Sequence, residues 1–266
     1  MSEFLTSRVT RRQRRVWSKR VDSWDGHDAE GLDAVAEMTV QLASHTTGSR
    51  CVDLGCGTGR LAIPLAKLGW KVTAVDISLE MIQRLQTRAA EHGAGQIACM
   101  VTPIEALYLP ADSVDLVVSS YALHHLRDSD KERLIGRVFT WLRPGGQLVI
   151  ADMMFGRGLS ARDREIVVSK VRAFLRKGPK GWWRIAKNAV RFLLRLQERP
   201  LTMNAWVSLL NSQGFHEVTA APIIAEAAVV AGKRPFVSPG ARTTPPIPIR
   251  ERGKYAALRS RLPPAG

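Results

Sequence analysis

The chain has 266 residues, 45% of them hydrophobic, enough for one ordinary α/β domain with an insertion and tails. No apolar run approaches the ~20 residues of a membrane span. The three cysteines, Cys51, Cys56 and Cys99, are odd in number and lack metal-ligand spacing, which speaks for reduced thiols in a cytosolic protein and against a disulfide framework or a metal site. Net charge is +15 but uneven: residues 1–20 carry +6, 156–199 carry +10 and 233–266 carry +7, leaving about −8 on the remainder. A basic partner surface is thus appended to an acidic core.

Residues 1–27 form a basic, polar N-terminal segment. Arg11-Arg12-Gln13-Arg14-Arg15 is not followed by an apolar stretch, so neither a secretory nor a twin-arginine signal is expected. From Asp28 to His45, Leu32, Val35, Ala36, Thr39, Val40 and Ala43 fall on one helical face. Alternating elements follow, the pattern of a parallel sheet covered by helices. Strands are predicted at 50–54, 71–75, 96–101, 114–119 and 146–151, with helices at 58–68, 78–91 and 128–142. Arg143-Pro144-Gly145-Gly146 ends the last of these helices and turns into the fifth strand. Residues 156–199 read as an insertion. A helix from Thr202 to Gln213 ends at Gly214, a C′ glycine, and two strands, 216–221 and 226–231, close the domain near residue 233. Residues 234–266 hold seven prolines and few large apolar groups, so no packed structure is expected there.

The chemistry concentrates in Val52-Asp53-Leu54-Gly55-Cys56-Gly57-Thr58-Gly59-Arg60 and, one helix later, Val72-Thr73-Ala74-Val75-Asp76. Glycines at alternate positions let the main chain take positive φ and let a ligand approach it. A turn after a parallel strand, feeding a helix, is where open α/β sheets bind nucleotides. The dinucleotide frame is broken, because the position of its third glycine, counted from Gly55, is Arg60. No Gly-Lys-Ser/Thr follows, which disfavours a phosphate loop. What remains is acid-x-G-x-G-x-G with a second acid, Asp76, placed to take both hydroxyls of a ribose.

This pattern resembles the class I S-adenosylmethionine (SAM)-dependent methyltransferases, over about Val16 to Lys233, and Leu-Arg-Pro-Gly-Gly before a strand is a further mark of that family. The resemblance implies a Rossmann-like three-layer sandwich with a mostly parallel seven-stranded sheet, its last strand antiparallel, and a helical insertion after the fifth strand. It also implies the cofactor. Gly55, Cys56, Gly57 and Gly59 would line the methionine part, Asp53 would orient the turn and the amino group, and Asp76 would hold the ribose. Ile77 would lie against the adenine, with Met81 near it, and Ile104 and Ser119 would complete the pocket. For Ile77 and Met81, core packing is the alternative role. Trp17 and Trp24 look like the aromatic segment that covers the cofactor in many such enzymes, or else pack a helix on the core. The family often has an Asp where this chain has Pro103, and that Asp takes the adenine amino group. Glu105 could substitute, or else caps or faces solvent.

On the acceptor side, Tyr121, His124 and His125 in Ser119-Ser120-Tyr121-Ala122-Leu123-His124-His125-Leu126 sit where the family's substrate pocket begins. A histidine there could take a proton from a phenol or enol; a helix-start or packing role is the alternative. The Asn/Asp-Pro-Pro-Tyr clamp of nucleic-acid N-methyltransferases is absent. Within 160–199, Trp182, Ile185, Ala186, Ala189, Leu193 and Leu196 share one helical face and Arg184, Lys187, Arg191 and Arg195 another. Such a helix reads as an element lying on an anionic membrane surface or as a lid. The expected function is methyl transfer to oxygen or carbon of a small, hydrophobic or lipid-like acceptor, in the cytoplasm or peripherally on a membrane. The rivals are an RNA methyltransferase, using the basic stretches on phosphates, and a non-catalytic SAM-fold protein that binds a membrane or a partner.

Overall fold

Five parallel strands and one antiparallel hairpin build the sheet on which the site rests. In the computed structural model, the described residues are 14, 15, 18, 29–94, 97–156, 168, 199–224 and 226–236. Those through Pro235 belong to one compact unit. The elements are α1 (Ala29–Ala43), β1 (Arg50–Leu54), α2 (Ala62–Lys67), β2 (Lys71–Asp76), α3 (Leu79–Glu91), β3 (Ile97–Val101) and β4 (Val114–Ser120), then α4 (Asp128–Trp141), β5 (Leu142–Met153), α5 (Met203–Ser212), β6 (His216–Pro222) and β7 (Ala227–Lys233). Strand order is β3-β2-β1-β4-β5-β7-β6. The first five pair in parallel, and β7 runs antiparallel between β5 and β6. This is the expected Rossmann-like sheet.

Period-two alternation divides the core. Cys51, Val72, Ala74, Leu116, Val118 and Val149 face one side, where they meet Val35 and Ala43 of α1 and Ile82 and Leu85 of α3. Val52, Leu54, Val117, Leu148 and Ile150 face the other, against Leu134, Val138 and Trp141 of α4 and Trp206 and Leu210 of α5. Each Val, Leu or Ile among them stabilises the fold by roughly 1.5–3 kcal/mol. Covered on both faces, the central strands carry apolar residues at consecutive positions, as in Leu116-Val117-Val118 and Leu148-Val149-Ile150.

Two boundaries depart from expectation. The helix predicted from residue 58 starts only at Ala62, because Gly57 and Gly59 sit at φ +50° and +91°, outside the right-handed helical range. The fifth strand starts at Leu142, not 146. Val114 pairs with Leu142, and Gly145 and Gly146 exchange backbone hydrogen bonds with Arg234 at 2.8 Å each way, so the Pro-Gly-Gly stretch is drawn into the sheet by the strand returning from the far end of the chain.

Trp17, Trp24, the amphipathic faces of 160–199 and the tail beyond Phe236 lie outside the described residues. Among the described residues, no helix is long and apolar enough to cross a membrane.

Candidate cofactor and acceptor site

The C-terminal ends of β2, β1 and β4 lie side by side and open into one cleft of about 880 Å³, counting its mouth. At the β1 end, the Gly55 and Cys56 amides both donate to the Val75 carbonyl, at 2.8 and 3.0 Å. That folds the chain back over β2. A side chain at Gly55, besides its φ of +75°, would bring its Cβ within 2.3 Å of the Ala122 methyl, so only glycine lets the β4 loop approach the turn.

Asp76 ends β2. One carboxylate oxygen, Oδ2, accepts the Gly57 amide at 3.0 Å and the other, Oδ1, accepts the Ser78 amide at 2.9 Å. Ser78 in turn caps α3, its hydroxyl accepting the Met81 amide. Burial raises the Asp76 pKa, and these amide donors hold it back. Asp53, wholly buried, is pushed up to about 8 by burial and by the Asp76 charge, with the Ala62 amide opposing. Its Oδ2 has no hydrogen-bond partner among the described residues, and Asp53 lines the cleft. A buried carboxylate oxygen left without a donor, beside a glycine cradle and a second carboxylate, fits a ligand carrying an amino group and a ribose.

Of the sequence-predicted residues, Asp53, Gly55, Cys56, Gly57, Asp76, Ile77, Met81, Ile104, Tyr121 and His125 line the cleft. Three do not. Gly59 packs towards Leu85 and Ile63. Ser119 is turned into the sheet, its hydroxyl donating to the Leu54 carbonyl at 2.8 Å; one residue on, Ser120 takes the lining position, since successive strand residues face opposite sides. His124 is buried, with its Nδ1 2.5 Å from Asp152 and its backbone amide donating to the same carboxylate at 2.9 Å. Burial opposes charge on Asp152, but the attraction and hydrogen bond of His124 hold its carboxyl below the usual range. His124 therefore stands behind the wall, hydrogen-bonded to Asp152, its ring 3.9 Å from that of His125.

Leu32 of α1, Arg60 and Leu61 also line the cleft, although the motif alone does not mark them as site residues. Arg60 was legible only as the residue that breaks the dinucleotide frame. Pro103 and Glu105 both line the cleft, and burial raises the Glu105 pKa. Glu105 is thus half-buried in the cleft wall. Tyr121 lines the opposite side at φ +49°, an uncommon conformation for a bulky residue, with its amide bonded to Ala151. Burial, Glu226 and Asp152 all raise its pKa, so its phenol stays protonated and keeps its O–H as a donor. The Arg199 amide donates to the His124 carbonyl at 2.6 Å, and Lys131 of α4 donates to the Arg199 carbonyl, which fixes the chain's return beside this wall. From the N-terminal side, Arg14 donates to the Ile77 carbonyl and Ser18 to Glu80.

A methyltransferase domain family matches residues 51–146, the span from β1 into β5. An uncharacterised methyltransferase of Geobacillus kaustophilus is 26% identical over 205 residues, 75% of this chain and 85% of that protein. The aklanonic acid methyltransferase DauC of a Streptomyces species is 31% identical over 139 residues, 51% of this chain and 62% of that one. Among solved structures, a SAM-dependent methyltransferase of Thermotoga maritima superposes with a TM-score of 0.57 at 17% identity, covering 83% of this chain and 99% of that one, a likeness of fold.

Proposed function

We propose that this chain, a class I SAM-dependent methyltransferase, transfers the methyl group to oxygen or carbon of a small, hydrophobic acceptor seated against Tyr121 and His125. The observation that carries this reading is the order of strand ends along the cleft. Carboxylates stand at the β2 and β1 ends, and Tyr121, Ala122, His125 and Leu126 stand just beyond β4. Bound SAM supplies a methyl carbon already activated by its sulfonium.

The protein's share of the work is then to hold, align and exclude water. Asp53 takes an ammonium on its free oxygen, and Asp76 takes ribose hydroxyls. Tyr121, kept protonated, donates to an acceptor oxygen. His125 supplies the imidazole on the cleft wall that accepts a proton from a hydroxyl or enol. His124 does not reach the cleft and orients its neighbour. A relative named for aklanonic acid supports a small-molecule acceptor class. The basic stretch 160–199 extends this reading to a lipid-like acceptor taken from an anionic membrane surface.

Incubation of the purified chain with methyl-labelled SAM and, separately, a small-molecule and lipid extract or total RNA tests the proposal. Label in the organic extract supports it; label only in RNA overturns it. Sedimentation of the full chain with anionic against zwitterionic vesicles tests the surface component, and equal sedimentation removes it.

A further inference from the structure

The cleft is acidic. Asp53, Asp76 and Glu105 line it, and Arg60 is the one lysine or arginine among the described residues that do. Arg60 follows directly on the glycine turn and is mostly buried, its side chain 17% exposed. Its guanidinium donates through Nη1 to Asp33 of α1, which is itself 54% exposed, while its buried Nε has no hydrogen-bond partner among the described residues. Two residues further on, the Ala62 amide lies against the Asp53 carboxyl. A mostly buried guanidinium with an unpartnered Nε and a buried carboxylate with a spare acceptor are thus set within one short piece of chain. A zwitterionic α-amino acid requires that pair of charges.

We propose that Arg60 binds the α-carboxylate of the cofactor's methionine end, with Asp33 holding the guanidinium in place, so that α1 forms one wall of the cofactor site. This rests on SAM being the cofactor and goes beyond it by assigning a specificity residue. Asp53 and Arg60 then read the two charges of the amino acid separately. A guanidinium offers parallel donors to a carboxylate, an arrangement no other lining side chain can supply.

Calorimetry on the wild-type chain with SAM and with its decarboxylated form tests the assignment, because the two differ only by that carboxylate. Decarboxylation makes the ligand more positive, so in an acidic cleft without an arginine contact it would bind better. We expect it instead to bind roughly 10- to 100-fold more weakly, the size of one charge-assisted contact. Arg60→Gln should weaken SAM by a similar factor and leave the decarboxylated ligand within about threefold of wild type. Arg60→Lys should recover part of the loss. Equal or tighter binding of the decarboxylated ligand to wild type overturns the proposal, as does equal weakening of both ligands in Arg60→Gln. The wild-type comparison needs no variant and stands even if Arg60→Gln does not fold. Failure of wild type to bind either ligand would instead strike the cofactor reading.

Discussion

Asp76 closes the glycine turn from the neighbouring strand, its carboxylate accepting the Gly57 amide at 3.0 Å across nineteen residues of sequence. The same carboxylate lines the cleft, so one side chain both sets the turn and faces the space proposed for a ribose. Charge-assisted hydrogen bonds contribute about 1.5–3 kcal/mol each, and two are at stake. Asp76→Ala should therefore weaken SAM on the order of 100-fold or more by calorimetry. Asp76→Asn, which keeps the acceptor for Gly57, should lose less. Binding by Asp76→Ala within threefold of wild type would contradict this role.

Asp53 makes ligand-free stability depend on pH. Its ordinary pKa of 3.8 rises to about 8 in the fold, through burial first and the Asp76 charge second. A carboxyl raised in this way contributes stability that is complete below its unfolded pKa and is lost as pH climbs through the folded value. The wild-type chain should thus lose stability between about pH 4 and pH 8, and Asp53→Asn should flatten that slope. The variant should melt several degrees above wild type at pH 8.5 and close to it at pH 4.5. Ammonium binding pulls the group back to its charged form, so SAM uptake at pH 7 should release a proton, seen as heat that varies with the buffer's ionisation enthalpy. Asp53→Asn should abolish that dependence.

These carboxylates were legible in the sequence because a strand, a turn and the next strand lie within thirty residues, and parallel pairing forces their ends together. The order of the closing strands was not. That β7 enters between β5 and β6 depends on pairings such as Val149 with Ala231, far apart in the chain. Ser119 and Ser120 differ by one step, and only the observed strand decides which hydroxyl faces the cleft. His124 and Asp152 are separated by 28 residues and meet because β4 and β5 are neighbours, so a pattern confined to Leu-His-His-Leu cannot tell the buried ring from the presented one. Arg60 escaped notice because its partner, Asp33, comes from a helix that precedes the sheet.

Pro103 stands where the family resemblance implies a carboxylate for the adenine amine. It lies in the lining at φ −62°, ψ 140°, at the start of a single 3₁₀ turn, a backbone conformation open to aspartate and a position that favours it. Pro103→Asp should add a carboxylate acceptor for an exocyclic amine and tighten SAM about tenfold, the effect of one hydrogen bond of about 1–2 kcal/mol. Binding of a ligand whose adenine is replaced by hypoxanthine, which lacks that amine, should not improve. Equal tightening of both ligands would assign the gain to the turn and not to the ring.

Asp152 and His125 should separate stability from chemistry. Asp152 satisfies the Nδ1 and the backbone amide of His124 as well as the Met153 amide, at 2.5, 2.9 and 2.7 Å. Removing the carboxylate leaves the His124 ring and two backbone amides without their buried acceptor, at about 1–3 kcal/mol for each group. Asp152→Ala should therefore lower the melting temperature strongly. His125 is only half-buried and lines the cleft. His125→Ala should leave the melting temperature nearly unchanged while reducing kcat by about 10²–10⁴, the range of a proton-transfer catalyst. The reverse pattern, with Asp152→Ala stable and His125→Ala fully active, would show that Asp152 does not carry the stability of this wall and that His125 takes no part in the reaction.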